Sequence, residues 1–273
     1  MSKFEISNGK KIVKPFNKIW IVLGVVIVLI IIFWQFITYN TAMFNLGELS
    51  VIFKQLFTPK NTILEQRTWS DYFEFMWELR EPLWITIQMS LGGTIIGSIL
   101  AVPVAIFASR NIFKNKYINA PFRFLMNIIR TIPLMLLVII GVAMVGTGVL
   151  SGIIGYTVFS FGIMAKMFYE VIETADMSPF EALESTGANR LQAFSYAIVP
   201  QVFISFVSFL FYIFELNIRA SAILGFVGIN GIGEAISVNN LYNYDRVGAT
   251  VIVLFVFILI LQLINSHIRG KLE

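Results

Sequence analysis

The chain has 273 residues, 57% of them hydrophobic and 13% charged, with a mean hydropathy of +0.80 and a net charge of +4. Soluble domains carry about a quarter charged residues, so this composition excludes an ordinary water-soluble fold. No cysteine is present, which removes disulfides, thiol nucleophiles and cysteine-held metals.

The apolar residues come in runs of roughly 20, long enough to cross a hydrocarbon core of about 30 Å as helices. Six crossings are predicted. A tail, 1–18, carries Lys3, Lys10, Lys11, Lys14 and Lys18. The first crossing covers 19–38. Its apolar run exceeds that of a signal peptide, and no small-residue cleavage site follows closely.

The segment 39–82 is not a plain linker. Asn45-Leu46-Gly47-Glu48 has capping-box spacing, and Leu46, Leu49, Phe53, Leu56 and Phe57 recur at helical spacing before Pro59. This predicts a short amphipathic helix lying on the membrane surface. A second, rich in Phe and Trp, is predicted from Asp71-Tyr72-Phe73-Glu74 to Pro82. Both suit either an external docking surface or interfacial packing.

The remaining crossings are read at 83–108, 124–145, 150–168, 198–220 and 247–267, with a tail at 269–273. Arg110, Lys114, Lys116 and Arg123 lie between the second and third, with no acid among them; Arg269 and Lys271 lie in the last tail. With six crossings these basic stretches and the first tail share one side, and the excess of Lys and Arg makes that side cytosolic. Both termini are then cytosolic and 39–82 is external.

The fourth-to-fifth loop, 170–200, also falls inside, although Glu170, Glu173, Asp176, Glu181 and Glu184 make it acidic. Acids contribute little to orientation. The loop carries its own helix signals. Ser178-Pro179-Phe180-Glu181 places a cap, a first-turn proline and a glutamate whose carboxylate is expected to reach the cap amide. Gly187 ends this helix, and Asn189-Arg190-Leu191-Gln192 opens another before Pro200. Phe180, Ala182 and Leu183 offer a small apolar surface for a groove. A capped helix, a glycine hinge and a second helix suit a lever gripped by a cytosolic partner; an ordinary amphipathic loop is the plainer reading.

In the fifth crossing Glu215 and Arg219 are four apart, acid first, the favourable order for a helical ion pair; Asn217 points to another face. Ionisable groups at membrane depth are expensive and default to function. Arg219 could meet an anion, or the pair could be a structural bridge. Arg130 and Lys166 read as anchors at the inner boundary. The series Gly225, Gly228, Gly231, Gly233 does not have phosphate-loop spacing. It reads as a re-entrant turn or as close helix packing. The single histidine is His267, no H-E-x-x-H or GxxxxGK[ST] occurs, and the basic residues follow topology rather than a nucleic-acid stripe.

Glu181, Ala182, Gly187 and Pro200 resemble the cytosolic loop of binding-protein-dependent ABC importer permeases, with Leu183, Ala197 and Val199 departing mildly. Over roughly 80–271 the chain is similar to the phosphonate-type permeases, through Thr86-Ile87-Gln88, Arg130-Thr131-Ile132-Pro133, Lys166-Met167-Phe168-Tyr169-Glu170, Phe214-Glu215-Leu216-Asn217-Ile218-Arg219-Ala220, Leu224–Gly233 and Tyr244-Asp245-Arg246. Asn230 stands where that family has glycine. The resemblance implies an all-α membrane protein of MetI-like architecture, with a permease core at 83–268. It implies ATPase coupling through Phe180, Glu181, Ala182, Leu183, Gly187 and Pro200, and a solute pathway near Glu215, Asn217, Arg219, Gly228, Gly231 and Gly233. It implies import of phosphonate, phosphate or phosphite across the bacterial plasma membrane. The partners are a cytosolic ATPase dimer that binds ATP and Mg, a second permease subunit (identical or different), an external solute-binding protein and membrane lipid. The chain itself would hold no cofactor or metal and catalyse nothing. A permease of the same superfamily for another solute, and an ion-coupled carrier, are the alternatives.

Overall fold

Away from water, an apolar chain has to satisfy its backbone hydrogen bonds within itself, and helices do so segment by segment. The computed structural model describes residues 3–5, 11–13, 19–36, 46–60, 65–239 and 242–272. The chain divides into two units, Met1–Ser50 and Val51–Glu273.

In the first unit, β1 (Lys3–Glu5) and β2 (Lys11–Val13) pair antiparallel, with Phe4 opposite Ile12. This small ladder was not expected of the tail. α1 (Ile19–Phe36) is apolar on every face and exposed over 19–34. Asn45, read as a cap, lies outside the described residues; the helix α2 (Leu46–Leu56) begins just after it.

The second unit holds the long helices. α3 (Trp69–Glu78) starts on a capping box between Thr68 and Asp71. α4 (Arg80–Ala108) follows after Leu79 alone. Pro82 was expected to end the preceding helix. It instead sits in the first turn of α4, where the missing amide is harmless. α5 (Lys116–Thr131) and α6 (Leu134–Val145) replace the single crossing expected at 124–145, and they meet at 90°. Proline disfavours the helical conformation in the residue before it, and Ile132 before Pro133 is extended, with ψ 121°. Then come α7 (Val149–Thr174), α8 (Ser178–Ser185), α9 (Arg190–Ala193), α10 (Val199–Leu224), α11 (Ile232–Asn239) and α12 (Tyr244–Leu272).

Among the described residues four helical stretches are long and apolar enough to cross a membrane: Trp69–Ala108, Val149–Thr174, Arg190–Val227 and Tyr244–His267. The bent pair makes a fifth, and α1 is shorter than these.

α4 and α7 form the centre of the bundle. Gly93 and Gly97 open a stripe that Ala101 and Ala105 continue at the same spacing of four. A Cβ on Gly97 would lie 2.5 Å from the Thr157 carbonyl oxygen, so only a bare backbone allows this approach. Toward one end Met126, Met164, Phe168, Ile172 and Ile198 form a core; toward the other Met89, Val138, Tyr156 and Leu224 form a second.

Candidate functional site

The 170–200 loop folds as two short helices whose ends are closed by local chemistry. Asp176 Oδ1 accepts from the Ser178 amide (3.0 Å) and hydroxyl (2.8 Å). These bonds, the amide first, hold the Asp176 carboxyl below its usual range. Asp176 thus supplies the cap expected of Ser178, and the Ser178 amide is not left for Glu181. Pro179 lies in the first turn. At the far end Gly187 has φ +94°; its amide donates to Glu184 O (3.0 Å) and the Ala188 amide to Leu183 O (3.1 Å). This pair of bonds is the Schellman closure, which needs a left-handed residue. Asn189 and Gln192 then cap α9 reciprocally at 2.9 and 3.1 Å. A π-helical turn, Phe194–Ile198, leads into α10 just ahead of Pro200, which has no amide to donate.

The faces of this hairpin differ. Phe180 is 4% exposed and packs in the core with Ile172 and Phe194. Glu181, Ala182, Gly187 and Pro200 are exposed, Leu183 is half-buried, and Leu191 is 76% exposed. Phe180 therefore roots the loop, and the surface left exposed is the Glu181–Ala182 side with Leu191.

Two fastenings escaped the sequence reading. Gln201, in the first turn of α10, accepts from the Asp176 amide (2.9 Å) and donates to the Asp176 carbonyl (3.0 Å). Arg123 pairs with Glu173, donates to Ala108 O at 2.8 Å, and stacks over Tyr169 at 4.4 Å. Glu173 also accepts from the Arg110 amide at 2.8 Å. The basic stretch 110–123 and the acidic loop thus meet at one end of the bundle. At the opposite end Asp245, 3% exposed, accepts from Arg67 through both oxygens at 2.9 Å and from the Lys60 amide at 3.1 Å. Lys60 and Arg67 also hold Glu65, whose carboxyl is lowered, chiefly by the Lys60 bond.

Within the spans, Glu215 pairs with Arg219 and accepts from Gln262 Nε2 at 2.7 Å. Glu215 is buried, whereas the Arg219 side chain is 50% exposed, beside an apolar recess lined by Val251, Leu254 and Phe255. Asn217 is fully buried. Its side chain donates to Thr94 and Ser160 at 2.8 Å, and the Tyr156 hydroxyl donates to its backbone carbonyl at 3.0 Å. It ties α4, α7 and α10 together, and its Oδ1 has no partner among the described residues.

The glycine series forms a tight turn in which backbone packs on backbone. A Cβ on Gly225 would lie 2.0 Å from the Gly233 carbonyl carbon, and one on Gly233 would lie 2.2 Å from Ser221 O. Gly228 (φ +76°) and Gly231 (φ +134°) make the turn, and Thr86 accepts from the Ile232 amide at 2.9 Å. Among the described residues no group of three or more His, Cys, Asp or Glu could hold a metal.

Residues 93–273 match the family described as binding-protein-dependent transport system inner membrane component. The chain is 34% identical over 189 residues to the phosphite transport system permease protein PtxC of Stutzerimonas stutzeri, covering 69% of each chain. It is 32% identical over 189 residues to the phosphate-import permease protein PhnE of Mycolicibacterium smegmatis, covering 68% of this chain and 35% of that one. Among solved structures, inward-facing MetNI methionine ABC transporter superposes with a TM-score of 0.68 at 21% identity, over 73% of this chain and 98% of that one. That last likeness is one of fold.

Proposed function

Since the chain belongs to the family of binding-protein-dependent transport system inner membrane components, we propose that it is the permease of an ATP-driven importer for a phosphorus oxyanion: phosphite, phosphate or a phosphonate. It is a multi-pass protein of the bacterial inner membrane and not itself an enzyme. The reading is supported most by the relative of 34% identity, which is named for phosphite. The capped hairpin of α8 and α9 supports it further.

In this proposal α1 is the first of six crossings, both termini are cytosolic, and 39–82 is external. The permease core runs over 83–268. The loop 170–200 enters a cytosolic ATPase, one of a pair that binds ATP and Mg. Phe180 roots it, Glu181, Ala182 and Leu183 make contact, Gly187 preserves the turn, and Pro200 opens the next crossing. A second permease subunit completes the membrane part, and an external binding protein delivers solute. Glu215 and Arg219, with the turn at Gly228, Gly231 and Gly233, border the outer half of the pathway, where a guanidinium suits a tetrahedral oxyanion. Asn217 keeps the three surrounding helices in register.

The test is uptake by the reconstituted complex of this chain with its ATPase and binding protein. ATP-dependent accumulation of phosphite, phosphate or methylphosphonate, unaffected by methionine, is expected. Uptake of methionine alone, or uptake driven by an ion gradient without ATP, would overturn the proposal.

A further inference from the structure

A second set of ionisable groups lies inward of Glu215 and Arg219. Arg130, Lys166, Glu170, Ser208, Tyr212 and Asn265 border a recess of ≈ 640 Å³ between α5, α7, α10 and α12. It holds two cations and one carboxylate, and Lys166 Nζ lies 3.3 Å from Glu170 Oε1.

Depth decides what this recess can face. At ~1.5 Å of rise per residue, Lys166 lies about 12 Å in from the inner end of α7. Arg130 is in the last turn of α5, just before the 90° bend into α6. Ionisable side chains within a crossing face a cavity or water rather than lipid. Two cations, one carboxylate, an amide and two hydroxyls gathered on one concave wall are therefore poorly suited to lipid tails. They suit water, or a solute that brings its own charge. Arg130 is exposed, and the Lys166 side chain is 30% exposed, so both heads are open to such a solute.

We propose that this recess is the inner half of the solute pathway, where Arg130 and Lys166 receive the phosphorus oxyanion on its way to the cytosol. The inference rests on the phosphorus-oxyanion reading above. The Arg130 guanidinium offers paired donors that match two oxygens of a tetrahedral anion, and Lys166 offers a point charge. Ser208, Tyr212 and Asn265 add neutral hydrogen bonds. Glu170 holds Lys166 when the recess is empty and yields it when the anion arrives. The bond between Glu170 and Lys166 keeps the recess from binding the anion too tightly to release it. A lipid phosphate from the inner leaflet presents the same chemistry, so the experiment has to separate the two.

The chain's lack of cysteine makes the test direct. Ser208→Cys and Leu216→Cys are placed singly in the full importer complex, in inside-out vesicles of neutral phosphatidylcholine. A charged sulfonate thiol reagent is expected to label both faster than Leu263→Cys, which lies on the exposed apolar side of α12. Phosphate, phosphite or methylphosphonate should slow the labelling in those neutral vesicles. Uptake per assembled complex by Arg130→Gln and by Lys166→Gln should fall by about ten- to a hundredfold at sub-saturating solute, the loss of one charge-assisted bond. Arg130→Lys and Lys166→Arg should recover part of it. No labelling by the charged reagent, wild-type uptake in both glutamine variants, or protection by added anionic lipid alone would each overturn the inference. If wild type carries no phosphorus oxyanion while both cysteines still label, the oxyanion role falls together with the functional reading.

Discussion

Gln201 offers the sharpest test of how the hairpin of α8 and α9 is tied to the bundle. Its side chain accepts from the Asp176 amide at 2.9 Å and donates to the carbonyls of Asp176 (3.0 Å) and Ala197 (2.8 Å). Among the described residues it is the one side chain bonded to both backbone groups of Asp176. Gln201→Leu removes all three bonds. Each is worth about 0.5–1.5 kcal/mol net, and the site is exposed, so water takes over the freed groups and the loss is about 2 kcal/mol in all. That leaves the bundle core intact. It shifts a local equilibrium at the joint about thirtyfold. The expected result is a complex of normal yield that hydrolyses more ATP per solute imported, because the hairpin moves without carrying α10 with it. Gln201→Glu is expected to be worse. It keeps the bond from the Asp176 amide, loses both donors, and sets a carboxylate against two carbonyl oxygens. The assay is stimulated ATP hydrolysis and uptake on the same reconstituted preparation. Wild-type stoichiometry in both variants would refute the idea that this clasp transmits motion.

Gly187→Val meets nothing within 4 Å, so it costs only the left-handed backbone, about 1–2 kcal/mol, and should assemble but lose stimulated ATP hydrolysis; Glu181→Lys should do the same by reversing charge on the exposed face. Gly225→Ala is the opposite case: its Cβ would strike Gly233 backbone at 2.0 Å, and a loss of at least about 3 kcal/mol should appear as failed assembly on size-exclusion chromatography. Glu65 has its carboxyl lowered from the ordinary 4.5, so its contribution is present above that value and lost as pH falls through the lower one. The thermal midpoints of wild type and Glu65→Gln should therefore differ at about pH 7 and converge in acid. Single cysteines at Gly146 should label from outside intact cells, and those at Asn115 and Asn189 only after permeabilisation; external labelling at Asn189 would break the proposed topology.

Legibility in the sequence followed the range of the interaction. Pro179, Gly187 and the Asn189–Gln192 box act within one turn of chain, and the hairpin was readable from them. The closures that needed a distant partner were not readable. Gln201 finds Asp176 at a separation of 25 residues, Asn217 finds Thr94 at 123, and Arg67 finds Asp245 at 178. Nothing in the local pattern of either partner marks these pairs. The bend at Ile132-Pro133 lies between. Its signal was present, because the residue before a proline avoids helix, but the unbroken apolar run on both sides favoured a single crossing. Gly93, Gly97, Ala101 and Ala105 were also available, at a spacing of four, and mark the face of α4 that meets α7. Phe180 shows why the direction of a side chain is harder to read than the helix it sits on. A two-turn helix with Phe180, Ala182 and Leu183 has two plausible inward faces, and only the packing against Ile172 and Phe194 chooses between them.

The polar side chains in the spans fall into two sets, and burial separates them. Asn217, Thr94, Ser160 and Tyr156 are each 0% exposed and bonded to one another across α4, α7 and α10. No solute could reach them without parting helices that are welded by bare-backbone contact at Gly97. Their chemistry is spent on register. Arg130 and Lys166 are the reverse: charged, open, and placed where α5, α7, α10 and α12 leave a hollow. Arg219 is intermediate, with its partner Glu215 buried and its own head beside apolar side chains. Under the proposed function, the bolted helices would rock as one body while Arg130 and Lys166 stay on the open wall of the recess.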